Sequence, residues 1–306
     1  ETFGPKWYGL AYVAGFFCAY LLMEWMARRK LGVLKPDQVS DFIFMSALFG
    51  VMLGGRIGYV LLYRPEMILD DPLGVFKVWD GGMASHGGIV GVTLFALFYA
   101  KRHKVSWPGL GDNLVVVAPL GILFGRIANF INGELYGHVS KVAWAVKFPN
   151  EFLHGQLSRE DPEKASAIFD VTRKMEPQLL EGYSLADPSG AQFYERLRES
   201  DAFREAVGEF LNPRHPSQLY EGLLEGLLLF LILFAIRLRW KNAPFGAITG
   251  LFFIFYAISR VVAENFRVPD ADLILGLTRG QFYSLPMVLI GIAFLGYALR
   301  KKPLSA

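Results

Sequence analysis

The chain has 306 residues, 53% of them hydrophobic and 15% aromatic, with a mean hydropathy of +0.33 and a formal net charge of +3. An ordinary soluble domain is excluded, because the apolar residues form near-continuous runs rather than amphipathic periods. The single cysteine, Cys18, lies inside an apolar run and excludes an intramolecular disulfide. There is no C-x-x-C and no zinc-type spacing, so neither a metal nor another cofactor is implied, and no nucleic acid partner is expected.

Seven apolar runs of about the length that crosses a bilayer core occur at 7–26, 42–63, 85–100, 110–131, 217–236, 245–266 and 282–299. The first has no small-residue cleavage site and reads as a retained helix rather than a signal peptide. The fold class is therefore an all-α polytopic membrane protein of about seven transmembrane helices. One membrane domain is made of 1–137 and 213–306. Between them, 138–212 forms a small, mainly helical extramembrane insertion on the outer side; the stretch from His138 to Arg214 carries ten Lys/Arg and thirteen Asp/Glu.

Basic residues orient the spans. Arg28, Arg29, Lys30, Lys35, Lys101, Arg102, Lys104, Arg237, Arg239, Lys241, Arg300, Lys301 and Lys302 fall in loops on one side. The short loops of the other side hold only Arg64, Lys77, Arg267 and Arg279. The positive-inside rule puts the N-terminus outside and the C-terminus in the cytoplasm.

Five stretches carry groups that a membrane helix does not need. Gly54-Gly55-Arg56-Ile57-Gly58-Tyr59 sets a guanidinium among glycines that allow a backbone or a lipid headgroup to come close. Packing with snorkelling is the plainer alternative. Trp79-Asp80-Gly81-Gly82-Met83-Ala84-Ser85-His86-Gly87-Gly88 leads into the third span, with His86 a possible base at a flexible, anion-tolerant helix start. Gly125-Arg126-Ile127-Ala128-Asn129-Phe130-Ile131-Asn132-Gly133-Glu134-Leu135-Tyr136-Gly137 carries a cation, amides and a carboxylate into a membrane helix end. A charge at membrane depth costs roughly 3 kcal/mol on insertion scales, so this face belongs to a bundle interior or a wet cavity. Continued as a helix, the stretch puts Arg126, Asn129, Gly133 and Gly137 on one face, with Glu134 at its edge. His215-Pro216-Ser217-Gln218-Leu219-Tyr220-Glu221 opens the fifth span. Tyr256, Arg260, Glu264 and Arg267 share a helical face of the sixth, where a salt-bridge ladder competes with a ligand site. Two buried arginines near the outer surface fit a phosphate, and at that depth a phosphate belongs most simply to a phospholipid.

In order and spacing these five stretches resemble the signatures of bacterial prolipoprotein diacylglyceryl transferase. Ala128 stands where that family usually has glycine, and 138–212 is longer than usual. The resemblance implies transfer of the diacylglyceryl group of phosphatidylglycerol to the lipobox cysteine thiol in the signal peptide of a preprolipoprotein, forming a thioether and releasing glycerol phosphate. It implies the bacterial cytoplasmic (inner) membrane. It also implies that Arg126 and Arg260 hold the lipid phosphate, that Asn129, Glu134, Tyr256, Glu264 and Arg267 orient that site, and that Arg56 and Gly137 bind substrate. His86 is the candidate base for the thiol, with a carboxylate such as Glu264 left open in that role. The alternatives from other classes are a phospholipid or anion transporter using the same arginines, and an intramembrane serine protease using Ser85 with His86 or His215.

Overall fold

A computed structural model describes residues 7–78, 81–180, 190–269 and 271–300. Trp79 and Asp80 of the loop before His86, Lys301 and Lys302 of the basic tail, and 181–189 of the insertion lie outside the described residues.

Among the described residues six helices are long and apolar enough to cross a membrane: α1 (Trp7–Arg28), α2 (Pro36–Tyr63), α4 (Trp107–Ile131), α8 (Ser217–Arg239), α9 (Ala247–Glu264) and α10 (Arg279–Arg300). The remaining expected span is helix α3 (Ser85–His103), of 19 residues. Its apolar middle is short, because Ser85 and His86 stand at one end and Lys101, Arg102 and His103 at the other. Side chains such as Val13, Phe17, Leu61, Ile89, Leu231 and Leu289 point outward from these helices. Apolar residues facing away from the protein suit a hydrocarbon surround and would be a liability in water.

Local chemistry starts and stops the helices. The Ser106 hydroxyl caps α4 by accepting from Gly109 N at 3.3 Å, and Pro108 sits in its first turn. Asp112 of α4 is buried and caps α9 across the bundle, taking Gly246 N at 2.8 Å and Thr249 N at 2.7 Å. Helices α2 and α8 each contain a π-helical segment, Ser46–Leu53 and Gly222–Leu228. Glycines let α2 and α3 meet backbone to backbone: a Cβ on Gly58 would lie 2.5 Å from Gly87 Cα, and one on Gly91 would lie 2.2 Å from Gly50 O.

The main apolar core joins α1, α2, α3, α4, α8 and α9 through Met23, Phe42, Tyr99, Val116, Leu229 and Ile248. A second core is drawn from Phe152, Leu157, Ile168, Phe193, Phe203 and Val207. It is framed by α5 (Pro162–Met175), α6 (Ala191–Glu199) and α7 (Asp201–Gly208). The strands β1 (Val146–Lys147) and β2 (Pro213–Arg214) pair antiparallel at its base. Helices that each bury one apolar stripe against a shared centre make this insertion a packed body with its own interior.

Candidate active site

The signature stretch departs from a continued helix. Helix α4 ends at Ile131, and Gly133 and Leu135 take left-handed backbone angles, φ +67 and +56. Gly133, Glu134 and Gly137 therefore leave the helix, and only Arg126 and Asn129 share its face. For Leu135 that conformation costs of order 1–3 kcal/mol and persists only where neighbours impose it. Three neighbours impose it. Ser217 Oγ donates to Leu135 O at 2.9 Å, Gln218 Nε2 to Glu134 O at 2.5 Å, and Asn150 Nδ2 to Asn132 O at 2.8 Å and Gly133 O at 3.1 Å. The start of α8 and the insertion thus both hold the turn.

Beyond the turn, three chain segments meet at Gly137. Gly137 N donates to His215 O at 2.9 Å, His138 N to Phe266 O at 3.0 Å, and His215 N to His138 O at 3.0 Å. Gly137 forms an antiparallel bridge with Arg267, which comes after α9 has ended at Glu264. Arg267 is accordingly absent from the helical face of Tyr256, Arg260 and Glu264, and this backbone pairing returns it to the cluster.

Arg126 and Arg260 converge. Arg126 Nη2 lies 2.6 Å and Arg260 Nη1 2.7 Å from the same oxygen, Glu221 Oε2, and Arg267 Nη1 is 3.3 Å from it. Glu225, one turn further along α8, faces Arg260 at 3.3 Å and Arg126 at 3.8 Å, and Glu264 faces Arg260 at 2.8 Å. The Glu221 and Glu225 side chains are 0% exposed, whereas Arg126 and Arg260 retain 18% and 14%. The carboxylates therefore lie beneath and the guanidinium edges stay reachable, which suits an anion arriving from the open side. Tyr256 is within electrostatic reach of Glu225, Arg260, Arg126 and Glu221. Arg126 Nη1 is 3.5 Å from Asn129 Oδ1; Asn129 donates to the Tyr8 hydroxyl, which donates to Glu134 Oε2 at 2.5 Å. That chain joins α1, α4 and the signature turn.

His86 does not join this cluster directly. It is exposed at the start of α3 and meets the Tyr283 ring edge-on at 6.3 Å. Tyr283 stands one turn from Gly280, where a Cβ would lie 2.5 Å from Glu264 Oε2 and 2.8 Å from Arg260 Nε. The last helix thereby bridges the imidazole and the arginine cluster. Arg56 is placed differently from a headgroup ligand: it is buried and its guanidinium donates to Gly74 O at 2.7 Å, Val75 O at 3.2 Å, and Gly81 O and Gly82 O. It organises the loop before His86. Packing wins at the neighbouring glycines as well, since Gly54 and Gly58 receive the backbone of α3.

The insertion is fastened beside the site by charge. Arg214 Nε is 2.5 Å from Glu151 Oε2, also contacts Glu160, and stacks on the Tyr136 ring at 5.1 Å. Burial pushes the Glu151 carboxyl up from its ordinary range against the pull of Arg214, and pushes the Tyr136 hydroxyl up to about 12.

The sequence motifs contain Glu221 without assigning it to the site, and they leave out Tyr8 and Glu225. Glu225 had a signal: it is an acid four residues after another acid in an otherwise apolar run. Tyr8 had none beyond what an interfacial aromatic normally shows.

A family model described as prolipoprotein diacylglyceryl transferase matches residues 2–297. Proteins named phosphatidylglycerol–prolipoprotein diacylglyceryl transferase are similar along nearly the whole length. The one from Bdellovibrio bacteriovorus is 40% identical over 95% of this chain and 88% of its own. That from Erwinia tasmaniensis is 39% identical over 99% and 92%, and that from Geobacter sulfurreducens 37% identical over 97% and 92%.

Proposed function

Because the chain belongs to the prolipoprotein diacylglyceryl transferase family, we propose that the arginine cluster is the place where it performs that family's reaction. The protein is a multi-pass membrane transferase that moves the diacylglyceryl group of phosphatidylglycerol to a prolipoprotein. The transporter and serine protease readings are not favoured. Arg126 and Arg260 hold the lipid phosphate, and the observation that carries this is their convergence on Glu221 Oε2 at 2.6 and 2.7 Å with reachable outer edges.

The acceptor is the lipobox cysteine thiol. A thiolate attacks the glycerol carbon, a carbon–sulfur bond forms, and the carbon–oxygen bond to phosphate breaks. Charge developing on the departing phosphate is stabilised by guanidinium groups that the buried carboxylates already hold in position. Tyr8, Asn129 and Glu134 fix Arg126 from one side, while Glu264 and Tyr256 fix Arg260 from the other and Arg267 helps hold the Glu221 that both arginines share. His86, reached through Tyr283, is the base for the thiol. Arg56 acts by shaping the loop that precedes His86, and Gly137 by joining the three segments. The insertion 138–212 sits on the outer side of the inner membrane as a cap over the site; α3 completes seven spans, with the N-terminus outside and the C-terminus cytoplasmic.

Mass spectrometry tests the reaction in liposomes of phosphatidylglycerol with a lipobox peptide. A diacylglyceryl thioether is expected, and it disappears with a Cys→Ser peptide and with Arg260→Ala or Arg126→Ala. Near-normal turnover in either arginine variant removes the phosphate clamp.

A further inference from the structure

Among the described residues the arginine cluster has no spare positive charge. Arg126, Arg260 and Arg267 face Glu221, Glu225 and Glu264, three guanidinium groups against three carboxylates. A phosphodiester adds one negative charge at membrane depth, where an unbalanced charge is strongly disfavoured. Something must therefore neutralise an acid.

The three carboxylates are not equally held. Glu221 Oε2 has all three arginines at 2.6, 2.7 and 3.3 Å, and Glu264 has Arg260 at 2.8 Å. Among the described residues Glu225 has only Arg260 at 3.3 Å and Arg126 at 3.8 Å. It is fully buried; its Oε2 and Glu264 Oε2 both lack a well-aligned hydrogen bond, but Glu264 Oε2 has Arg260 Nη2 at 2.8 Å while the nearest guanidinium nitrogen to Glu225 Oε2 is Arg126 Nη2 at 3.8 Å. Glu221 lies one turn away, so two like charges share the space. A phosphate accepting from Arg126 and Arg260 draws off both arginines that Glu225 faces among the described residues.

We propose that Glu225 is the proton site of the clamp, taking up a proton as the phosphate anion binds and returning it to the leaving group. Protonation turns the orphaned oxygen into a donor aimed into the cluster. The charged and titratable groups facing it are Arg126 on α4, Arg260 and Tyr256 on α9, and Glu221 on its own helix. The inference rests on the phosphate-clamp reading above. In the transfer step the electron pair of the breaking carbon–oxygen bond goes to the phosphate oxygen, which takes the Glu225 proton, while the thiol proton leaves through the base. Glu225 is then a carboxylate again, competes for both arginines, and drives the product out.

The test is calorimetry of dioctanoyl phosphatidylglycerol binding to the full-length protein in detergent. Two buffers of different ionisation enthalpy, used at several pH values across neutrality, count the protons. Wild type is expected to take up about one proton per lipid, with affinity weakening about tenfold per unit on the alkaline side. Glu225→Gln binds with no uptake and a flat pH dependence, whereas Glu225→Asp keeps the uptake. Zero uptake in wild type, or equal uptake in Glu225→Gln, overturns the proposal. Should Glu225→Gln fail to fold, a pH dependence left unmoved by Glu225→Asp overturns it equally. Binding indifferent to Arg260→Ala overturns the clamp itself, and the proton site with it.

Discussion

Replacing Gly137 with alanine puts a methyl group where three chain segments meet. Its Cβ would lie 2.2 Å from Phe266 O, 2.7 Å from His215 Cβ and 2.8 Å from His215 O. Two of these are backbone atoms, and no side chain can rotate to make room. Overpacking of this kind costs about 1–3 kcal/mol. Separating the segments also weakens the bonds from Gly137 N to His215 O, at 2.9 Å, and from His138 N to Phe266 O, at 3.0 Å. Each is worth about 1 kcal/mol, so the total is about 3–5 kcal/mol. Arg267 shifts with Phe266, and the contact of Arg267 with Glu221 at 3.3 Å goes with it. A displacement of about 1 Å in such a positioned group costs about a hundredfold in rate. The assays are a thermal melt in detergent and the rate of thioether formation in liposomes. A Gly137→Ala protein that melts within about 1 kcal/mol of wild type and transfers at a comparable rate would refute the junction as the element that assembles the clamp.

Gly280→Ala pushes a methyl onto Glu264 and Arg260, at 2.5 and 2.8 Å; turnover should fall about tenfold or more with little change in melting, and an unchanged rate would show that the last helix leaves the clamp free. Arg214→Met strands Glu151 in the interior and is expected to cost about 3–5 kcal/mol. Adding Glu151→Gln should restore part of that, as read by hydrogen exchange across 150–160. Arg196 holds the Glu176 carboxyl below its ordinary value of 4.5. A carboxyl lowered on folding contributes stability above its unfolded value and loses it as pH falls through the folded one. Wild type should therefore outlast Arg196→Met at neutral pH and converge with it in acid; parallel melting curves at all pH values would dismiss the pair.

Much of the membrane architecture is legible in the sequence because hydrocarbon leaves the chain few choices. Every span must be a closed helix, so each apolar run becomes one. The same logic marks Arg126 and Arg260, since a guanidinium inside an apolar run has to face something other than lipid. Arg267 and Gly137 are less legible. Their roles depend on α4 stopping at Ile131 and α9 at Glu264, and on a left-handed Leu135 that no residue propensity announces. Tertiary hydrogen bonds from Ser217 and Gln218 impose that turn, and their donors lie more than eighty residues away. Arg56 is legible as a charge that matters, but not as one spent on the carbonyls of a loop whose path the sequence does not reveal.

The glycine contact between α2 and α3 has a mechanical meaning. Gly50, Gly54 and Gly58 meet Gly87 and Gly91 so closely that no side chain, and no lipid tail, can enter between the two backbones. Two helices locked in this way move as one post. Arg56, on the same post, ties down the loop that delivers the chain to His86. The height of the imidazole is then a property of the protein and not of the surrounding bilayer. In a thicker or thinner membrane, the mismatch is taken up by tilt of helices outside the pair, and the distance from the imidazole to the arginine cluster is kept by the protein's own frame.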